Sequence, residues 1–176
     1  MVLFYTGFGA TGKFWAHEHW NLSSPPDIVA FSKKAQTAGY FFGNDLLVPD
    51  RAYRRFSTWV GDPARVILCN AVIPEILERN LVGKCAAVGA RRYGALDELA
   101  SKHPEKIRNL RGQGCGTYIA FDTPDAAAIV IKMRSLAVNV GMCGKSTLRL
   151  RPMLTFTEDL IARLIQALDE SIASLS

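Results

Sequence analysis

The stretch Asp27-Ile28-Val29-Ala30-Phe31-Ser32-Lys33-Lys34 decides how this chain of 176 residues is interpreted. Its first five residues form a short apolar run after two prolines, and such a run predicts a buried β-strand. A lysine at the C-terminal end of a buried strand is partly removed from water, which lowers its pKa and favours the neutral, nucleophilic amine. Lys34 is therefore a candidate for Schiff-base chemistry. The ordinary alternative is a solvated lysine at a strand end.

Helices are predicted after this strand. Asp62 and Pro63 have the residue types of an N-cap and a first helical position, and Pro74 should kink the helix that they begin. Helical periodicity continues over residues 82–99.

The last third of the chain alternates between strand and helix patterns. Strands are predicted at 118–121 and 148–154. Thr123-Pro124-Asp125 should cap a helix that runs to about residue 138, and Thr157 should cap the last helix. Residues 1–5 predict a further short strand, 13–20 a short helix, and 40–57 irregular structure. This order of elements predicts an α/β fold.

Composition excludes several classes of protein. Lys and Arg (21) outnumber Asp and Glu (16), but the basic residues are scattered and form no nucleic-acid signature. No apolar stretch approaches the ~20 residues of a membrane span.

The four cysteines form no C-x-x-C pair, and His17 and His19, two residues apart, cannot share a helix face, so no metal site is expected. No targeting segment is visible, which makes the cytoplasm the expected location.

Glycines recur in Gly7–Gly12, which fits G-x-G-x-x-G after a strand, and with Lys13 they fit most of a Walker A motif. The acid that a dinucleotide site needs is not well placed, because Asp27 comes too early. Phe14 stands where a magnesium-binding hydroxyl belongs. A flexible loop is the expected structure, with a nucleotide-binding module as a further alternative.

Several ordered motifs together resemble a known family, the class III pyridoxal-phosphate (PLP) aminotransferases, and most of all their eukaryotic and fungal 4-aminobutyrate transaminase branch. The resemblance covers nearly the whole chain from Thr6 onward. Its motifs are Thr6–Trp20, Pro26–Lys34, Arg55–Pro63, Arg111–Gly114, Phe121–Asp125 and Leu148–Pro152.

This resemblance implies the C-terminal part of a fold-type I PLP-dependent transferase. Residues 1–63 would be the remnant of the large, PLP-binding domain, and 64–106 a connecting region of long helix. Residues 107–176 would form a complete small α/β domain.

The resemblance also implies roles for individual residues. Lys34 matches the lysine that forms the Schiff base with PLP and moves the proton between substrate and cofactor carbons. Thr58 matches a threonine that binds the cofactor phosphate of the neighbouring subunit, and Phe56 an aromatic that lines the neighbour's substrate pocket. Arg149 matches the arginine that grips a substrate carboxylate, while Arg151 is interpreted as a structural surface charge.

The N-terminal residues depart from the family. The family aspartate that pairs with the pyridine nitrogen is Val2 here, and the glutamine that touches the ring hydroxyl is Tyr5. The glycine-rich phosphate cradle, most of the central sheet and a second substrate-binding arginine precede this segment in the family. We therefore expect a truncated chain that is not active alone.

Two functions remain after this comparison. The first is a PLP-dependent transaminase that moves the amino group of an ω-amino acid, such as 4-aminobutyrate, to 2-oxoglutarate, with the chain as part of a homodimer or of a heterodimer with a full-length transaminase. The second is a non-catalytic remnant or dimer-interface partner of such an enzyme. Neither involves nucleic acid or a membrane, and some relatives are mitochondrial.

Overall fold

The computed structural model describes the backbone of residues 3–4, 7–54 and 58–175, and the side chains of the last two ranges. The described residues fall into two compact units. The first contains the residues up to Gly9 and Lys13–Val82. The second contains Ala10–Gly12 and the chain from Gly83 onward.

The first unit is built on a three-stranded sheet in the order β1-β2-β3. Its strands are β1 (Leu3–Phe4), β2 (Ile28–Phe31) and β3 (Gly39–Phe42), with β1 parallel and β3 antiparallel to β2. Helix α1 (Pro63–Glu78) completes the unit. Single 3-10 turns lie at Ala16–Trp20, Lys33–Ala35 and Asp45–Leu47.

Two predictions for this unit are wrong. Residues 39–42 form β3, although irregular structure was predicted from residue 40; the aromatic residues at 40–42 favour strand once β2 offers a hydrogen-bonding edge. The four residues of β2 are half-buried and not fully buried. The strand prediction itself is confirmed.

Helix α1 begins as its sequence predicts. The Asp62 carboxylate accepts a hydrogen bond from the Ala64 backbone N at 3.0 Å, and Pro63 occupies the first turn, where no amide donor is needed. The helix continues as one element through Pro74 to Glu78.

The second unit is a four-stranded antiparallel sheet with helices. Helix α2 (Leu81–Lys102) belongs to this unit from Gly83 onward. The sheet order is β4-β5-β7-β6, with α3 after β5 and α4 at the end of the chain. The element bounds are β4 (Arg108–Arg111), β5 (Ile119–Asp122), α3 (Ala126–Ser135), β6 (Gly141–Cys143), β7 (Thr147–Leu150) and α4 (Asp159–Ala173).

The core of the second unit lies between the sheet and its helices. Its fully buried members come from α2, β5, α3, β7 and α4, among them Leu96, Ile119, Phe121, Ile129, Met133, Leu148 and Leu168. Strand β7 ends at Leu150, four residues before its predicted end, because Pro152 cannot extend the ladder. Among the described residues, no helix is long and apolar enough to cross a membrane.

Candidate functional site

Lys34 lies in the seven-residue connection between the antiparallel strands β2 and β3. The connection contains the 3-10 turn Lys33–Ala35, in which the Lys33 carbonyl accepts the Gln36 backbone N at 2.8 Å. The Gln36 side-chain Nε2 donates to the same carbonyl at 3.4 Å. Ala35 has no exposed surface, and this turn packs against α1. The backbone that carries Lys34 is thus fixed from both sides.

Two left-handed residues bracket this turn. Lys33 has φ 60° and Gln36 has φ 57°, a region that costs a non-glycine residue roughly 1 kcal/mol or more. Lys33 is exposed, whereas Lys34 is half-buried. Partial burial is the environment in which a nucleophilic lysine is expected, so the structure favours Lys34 over Lys33 for that role.

An aromatic cluster anchors the strands on either side of the lysine turn. Phe31 of β2 stacks on Phe41 of β3 with ring centroids 5.2 Å apart, and Phe8 lies 5.9 Å from Phe31. Trp15 contacts both Phe8 and Phe41 at 5.8 and 6.0 Å. Each such pair contributes about 0.5–1.5 kcal/mol beyond its buried area. The cluster holds the hairpin whose connection presents Lys34.

Gly12, at the end of the glycine loop, packs closely against its neighbours. A Cβ on Gly12 would lie 3.0 Å from the Ala86 Cβ, and one on Gly116 would lie 2.6 Å from the Gly12 backbone N. The Ala10 carbonyl accepts hydrogen bonds from the backbone N and the Oγ1 of Thr117, at 2.9 and 2.8 Å. These contacts explain the glycine at position 12 through packing.

Arg92 is a buried cation that the sequence pattern did not single out. Its side chain is 1% exposed, its Nη2 donates to the Gly116 carbonyl at 3.0 Å, and its Cζ lies 5.6 Å from the Phe156 ring centroid. Burial lowers the pKa of Arg92 from its ordinary value to about 10, an effect that the nearby Cys85 opposes. Arg92 therefore supports the Gly116 turn from inside the second unit.

Thr58 is exposed and lies in the turn that precedes the Asp62 cap of α1. The next residue, Trp59, stacks under the Arg65 guanidinium, with 5.2 Å from Cζ to the ring centroid. Phe56, the predicted substrate-lining aromatic, lies outside the described residues, as do Val2 and Tyr5.

Arg149 lies on β7 of the second unit, in register with Ala120 of β5 and Gly141 of β6. Its side chain is exposed, and no carboxylate among residues 7–54 and 58–175 forms an ion pair with it. Arg151 differs, because its guanidinium stacks on Tyr118 at 4.6 Å and donates to the Tyr118 Oη at 3.2 Å.

Comparison with known proteins identifies the family. The family model described as "Aminotransferase class-III" matches residues 4–172. The chain belongs to the class III aminotransferases.

Two curated relatives are named 4-aminobutyrate aminotransferase. The chain is 49% identical over 170 residues to the 4-aminobutyrate aminotransferase of Emericella nidulans, covering 97% of this chain and 34% of the relative. It is 41% identical over 156 residues to the mitochondrial 4-aminobutyrate aminotransferase of Mus musculus, covering 87% and 31%. The chain therefore spans about a third of the length of these relatives.

Solved aminotransferase structures have the same fold. The lysine aminotransferase from M. tuberculosis matches with a TM-score of 0.85 and 30% identity, over 99% of this chain and 42% of the other. An ornithine aminotransferase from Plasmodium Yoelii matches with a TM-score of 0.88 at 18% identity, over 99% and 48%, which shows the fold alone. The predicted fold, a part of the fold-type I PLP-dependent transferase, is confirmed.

The residues of this class III chain fit PLP in part. The half-buried amine of Lys34 suits the cofactor aldehyde, and an exposed hydroxyl such as that of Thr58 suits a phosphate oxygen. At the position of the family carboxylate, the sequence has Val2, which cannot pair with a pyridine nitrogen. The sequence thus offers an amine and a hydroxyl whose chemistry suits the cofactor, and a valine at the position of the family acid.

Proposed function

We propose that this chain contributes the Schiff-base lysine and a carboxylate-binding arginine to a PLP-dependent aminotransferase that acts on an ω-amino acid, such as 4-aminobutyrate, and 2-oxoglutarate. The observation that carries the proposal is the fixed, half-buried Lys34 turn between β2 and β3. When bound, PLP supplies the electron sink that lets an amino group leave one carbon skeleton and enter another.

Each of these residues has a proposed role. Lys34 binds the cofactor aldehyde and holds the proton that moves between cofactor and substrate. The Thr58 hydroxyl donates a hydrogen bond to the cofactor phosphate in a neighbouring subunit, and Phe56 lines that subunit's substrate pocket. Arg149 offers the planar guanidinium fork that binds a carboxylate with two parallel hydrogen bonds. We propose that the ring-nitrogen acid and the remaining phosphate ligands lie outside these 176 residues, and that these residues alone are inactive.

The lysine assignment is tested by mapping the adduct with PLP. The purified chain is incubated with PLP, its visible absorbance is recorded, and the Schiff base is reduced with borohydride and located by peptide mass spectrometry. The expected result is a single adduct at Lys34 that disappears in Lys34→Ala. Lys33→Gly is the matched control, because glycine adopts the φ of 60° at that position without cost and the adduct should remain.

Other adduct patterns would contradict the proposal. Label on Lys33, or label spread over many surface lysines in equal amounts, would remove Lys34 from the role. A complete lack of adduct would show that this chain by itself does not bind PLP. The same labelling in a mixture with a full-length class III aminotransferase then decides whether the site forms only with a partner.

A second candidate function, that of a partner subunit, rests on exposed apolar side chains of the first unit. Leu46, Tyr53, Trp59 and Val60 lie in the segment 40–63, which contains Thr58, and they are 90%, 86%, 65% and 69% exposed. Apolar side chains concentrated in one segment mark an interaction surface. Aminotransferases are typically dimeric, so we propose that a second aminotransferase subunit covers this segment.

Sedimentation and co-purification test the partner proposal. The expected result is a complex with a second copy or with a full-length class III aminotransferase, weakened at least ~10-fold by Val60→Lys, which buries a charge in the contact. Ile131→Lys is the control, since Ile131 is equally exposed, at 69%, but belongs to α3 of the second unit. Equal effects of the two substitutions would contradict the proposal. So would a chain that stays monomeric both alone and in a mixture with the full-length aminotransferase.

A further inference from the structure

Gly141 and Arg149 form a cross-strand pair in which the arginine covers the glycine. The two residues are in register between β6 and β7. A Cβ on Gly141 would lie 2.9 Å from the Arg149 Nε, 3.4 Å from its Cγ and 3.6 Å from its Nη2. The arginine side chain therefore extends lengthwise over the position where any other residue would carry its side chain.

Space, and not backbone conformation, explains the glycine at position 141. Gly141 is absent from the described residues with positive φ, so an alanine fits the backbone of β6. The neighbouring pairs Met142–Leu148 and Cys143–Thr147 hold the ladder independently of it. An added methyl group would collide only with a flexible side chain, which can move aside. Substitution should thus redirect Arg149 and leave the sheet intact.

We propose that Gly141 is a positioning residue for Arg149: its missing side chain lets the guanidinium lie across β6 in the orientation that receives a substrate carboxylate. This inference rests on the proposed function, in which Arg149 binds that carboxylate. A bidentate contact needs both guanidinium donors in one plane with the carboxylate, so a displacement that keeps the charge still loses the second hydrogen bond.

The orientation of Arg149 can be read without any enzyme activity. In ¹H–¹⁵N spectra of the full chain, the Arg149 Nε–H resonance is assigned by its loss in Arg149→Lys, and its position is compared between the wild type and Gly141→Ala. Each protein is then titrated with glutarate, a five-carbon dicarboxylate. Gly94→Ala is the matched control, because Gly94 lies in α2 and a Cβ there meets nothing within 4 Å.

The expected result is a shifted Arg149 resonance in Gly141→Ala and a glutarate dissociation constant at least ~10-fold higher than in the wild type, the factor that loss of one good charged hydrogen bond gives. Gly94→Ala should match the wild type in both. An unchanged resonance and affinity in Gly141→Ala would overturn the positioning role.

If Arg149 does not bind a carboxylate, the same experiment gives a different result. If Gly141→Ala moves the Arg149 resonance while glutarate shifts it in neither protein, Gly141 sets the side-chain orientation but Arg149 is not a carboxylate ligand, and the proposed function fails at that residue. If glutarate binds both proteins equally despite a moved resonance, the positioning role is wrong and the carboxylate role stands.

Discussion

Phe31 lies directly over Gly39, its partner across the β2–β3 ladder. A Cβ on Gly39 would sit 2.7 Å from the Phe31 Cζ, closer than real side chains approach. The glycine thus makes room for the ring that contacts Phe8 and Phe41. Lys34 lies in the connection between these two strands. The packing of Phe31 on Gly39 therefore stabilises the strand ends that carry the lysine turn.

Gly39→Ala should destabilise the chain by about 1–3 kcal/mol, because the added methyl group forces the Phe31 ring out of the aromatic cluster. Urea unfolding followed by tryptophan fluorescence measures this, since Trp15 belongs to the cluster. The matched control is Gly43→Ala, one residue beyond β3, where a Cβ meets nothing within 4 Å. Equal midpoints for the two variants would show that the ring relocates without cost.

Asp62→Ala should lower the free energy of unfolding by about 1 kcal/mol, because the Ala64 backbone N loses its capping oxygen. Asp62→Asn keeps an oxygen at that position and should stay within a few tenths of a kcal/mol of the wild type. Circular dichroism during thermal unfolding compares the three proteins. A loss in Asp62→Asn as large as in Asp62→Ala would assign the effect to the ion pair with Arg65 and not to the cap.

Local sequence signals predicted the elements that are long or sharply bounded. The α1 start follows from an Asp-Pro pair, and β2 from an apolar run between prolines and polar residues. Strands β4 and β6 were not predicted, because the residues Arg108–Arg111 and Gly141–Cys143 form neither an apolar run of strand length nor a clear alternation.

The sequence likewise indicated some residues of the candidate site and missed others. The lysine at a strand end was visible as a pattern, whereas the roles proposed for Thr58 and Arg149 came from resemblance to a family. The pairing of Arg149 with Gly141 could not be predicted, since an isolated glycine does not reveal which strand will lie opposite it. Arg92 gave no signal either, because a buried arginine looks like a surface one in a helical sequence.

Asp122 should make the chain sensitive to acid. Hydrogen bonds from Thr147, Asn109 and Arg111 hold the pKa of its carboxyl at about 2, below the ordinary 3.8. A carboxyl with a lowered folded-state pKa stabilises the fold above its unfolded pKa, and this contribution is lost as the pH falls through the folded one. The loss should therefore occur between about pH 4 and about pH 2.

Urea unfolding across this pH range tests the assignment. The difference in unfolding free energy between the wild type and Asp122→Asn should shrink as the pH falls from about 4 to about 2. Glu98→Gln is the control, because Glu98 is exposed on α2 and forms no ion pair within the described part of the chain. A difference that stays constant with pH would show that Asp122 contributes through packing and not through its charge.

Two substitutions of Arg92 distinguish the cost of burying its charge from the gain of its hydrogen bond and packing. Arg92→Met should change the unfolding free energy by less than about 1 kcal/mol, because relief from burying the charge offsets the lost hydrogen bond to the Gly116 carbonyl. Arg92→Ala should cost about 3 kcal/mol or more, since it also leaves a cavity beside Phe156. Chemical denaturation compares the variants. If Met is as destabilising as Ala, the hydrogen bond to Gly116 outweighs the cost of burying the charge, and Arg92 holds the Gly116 turn through its polar contact and not through its volume.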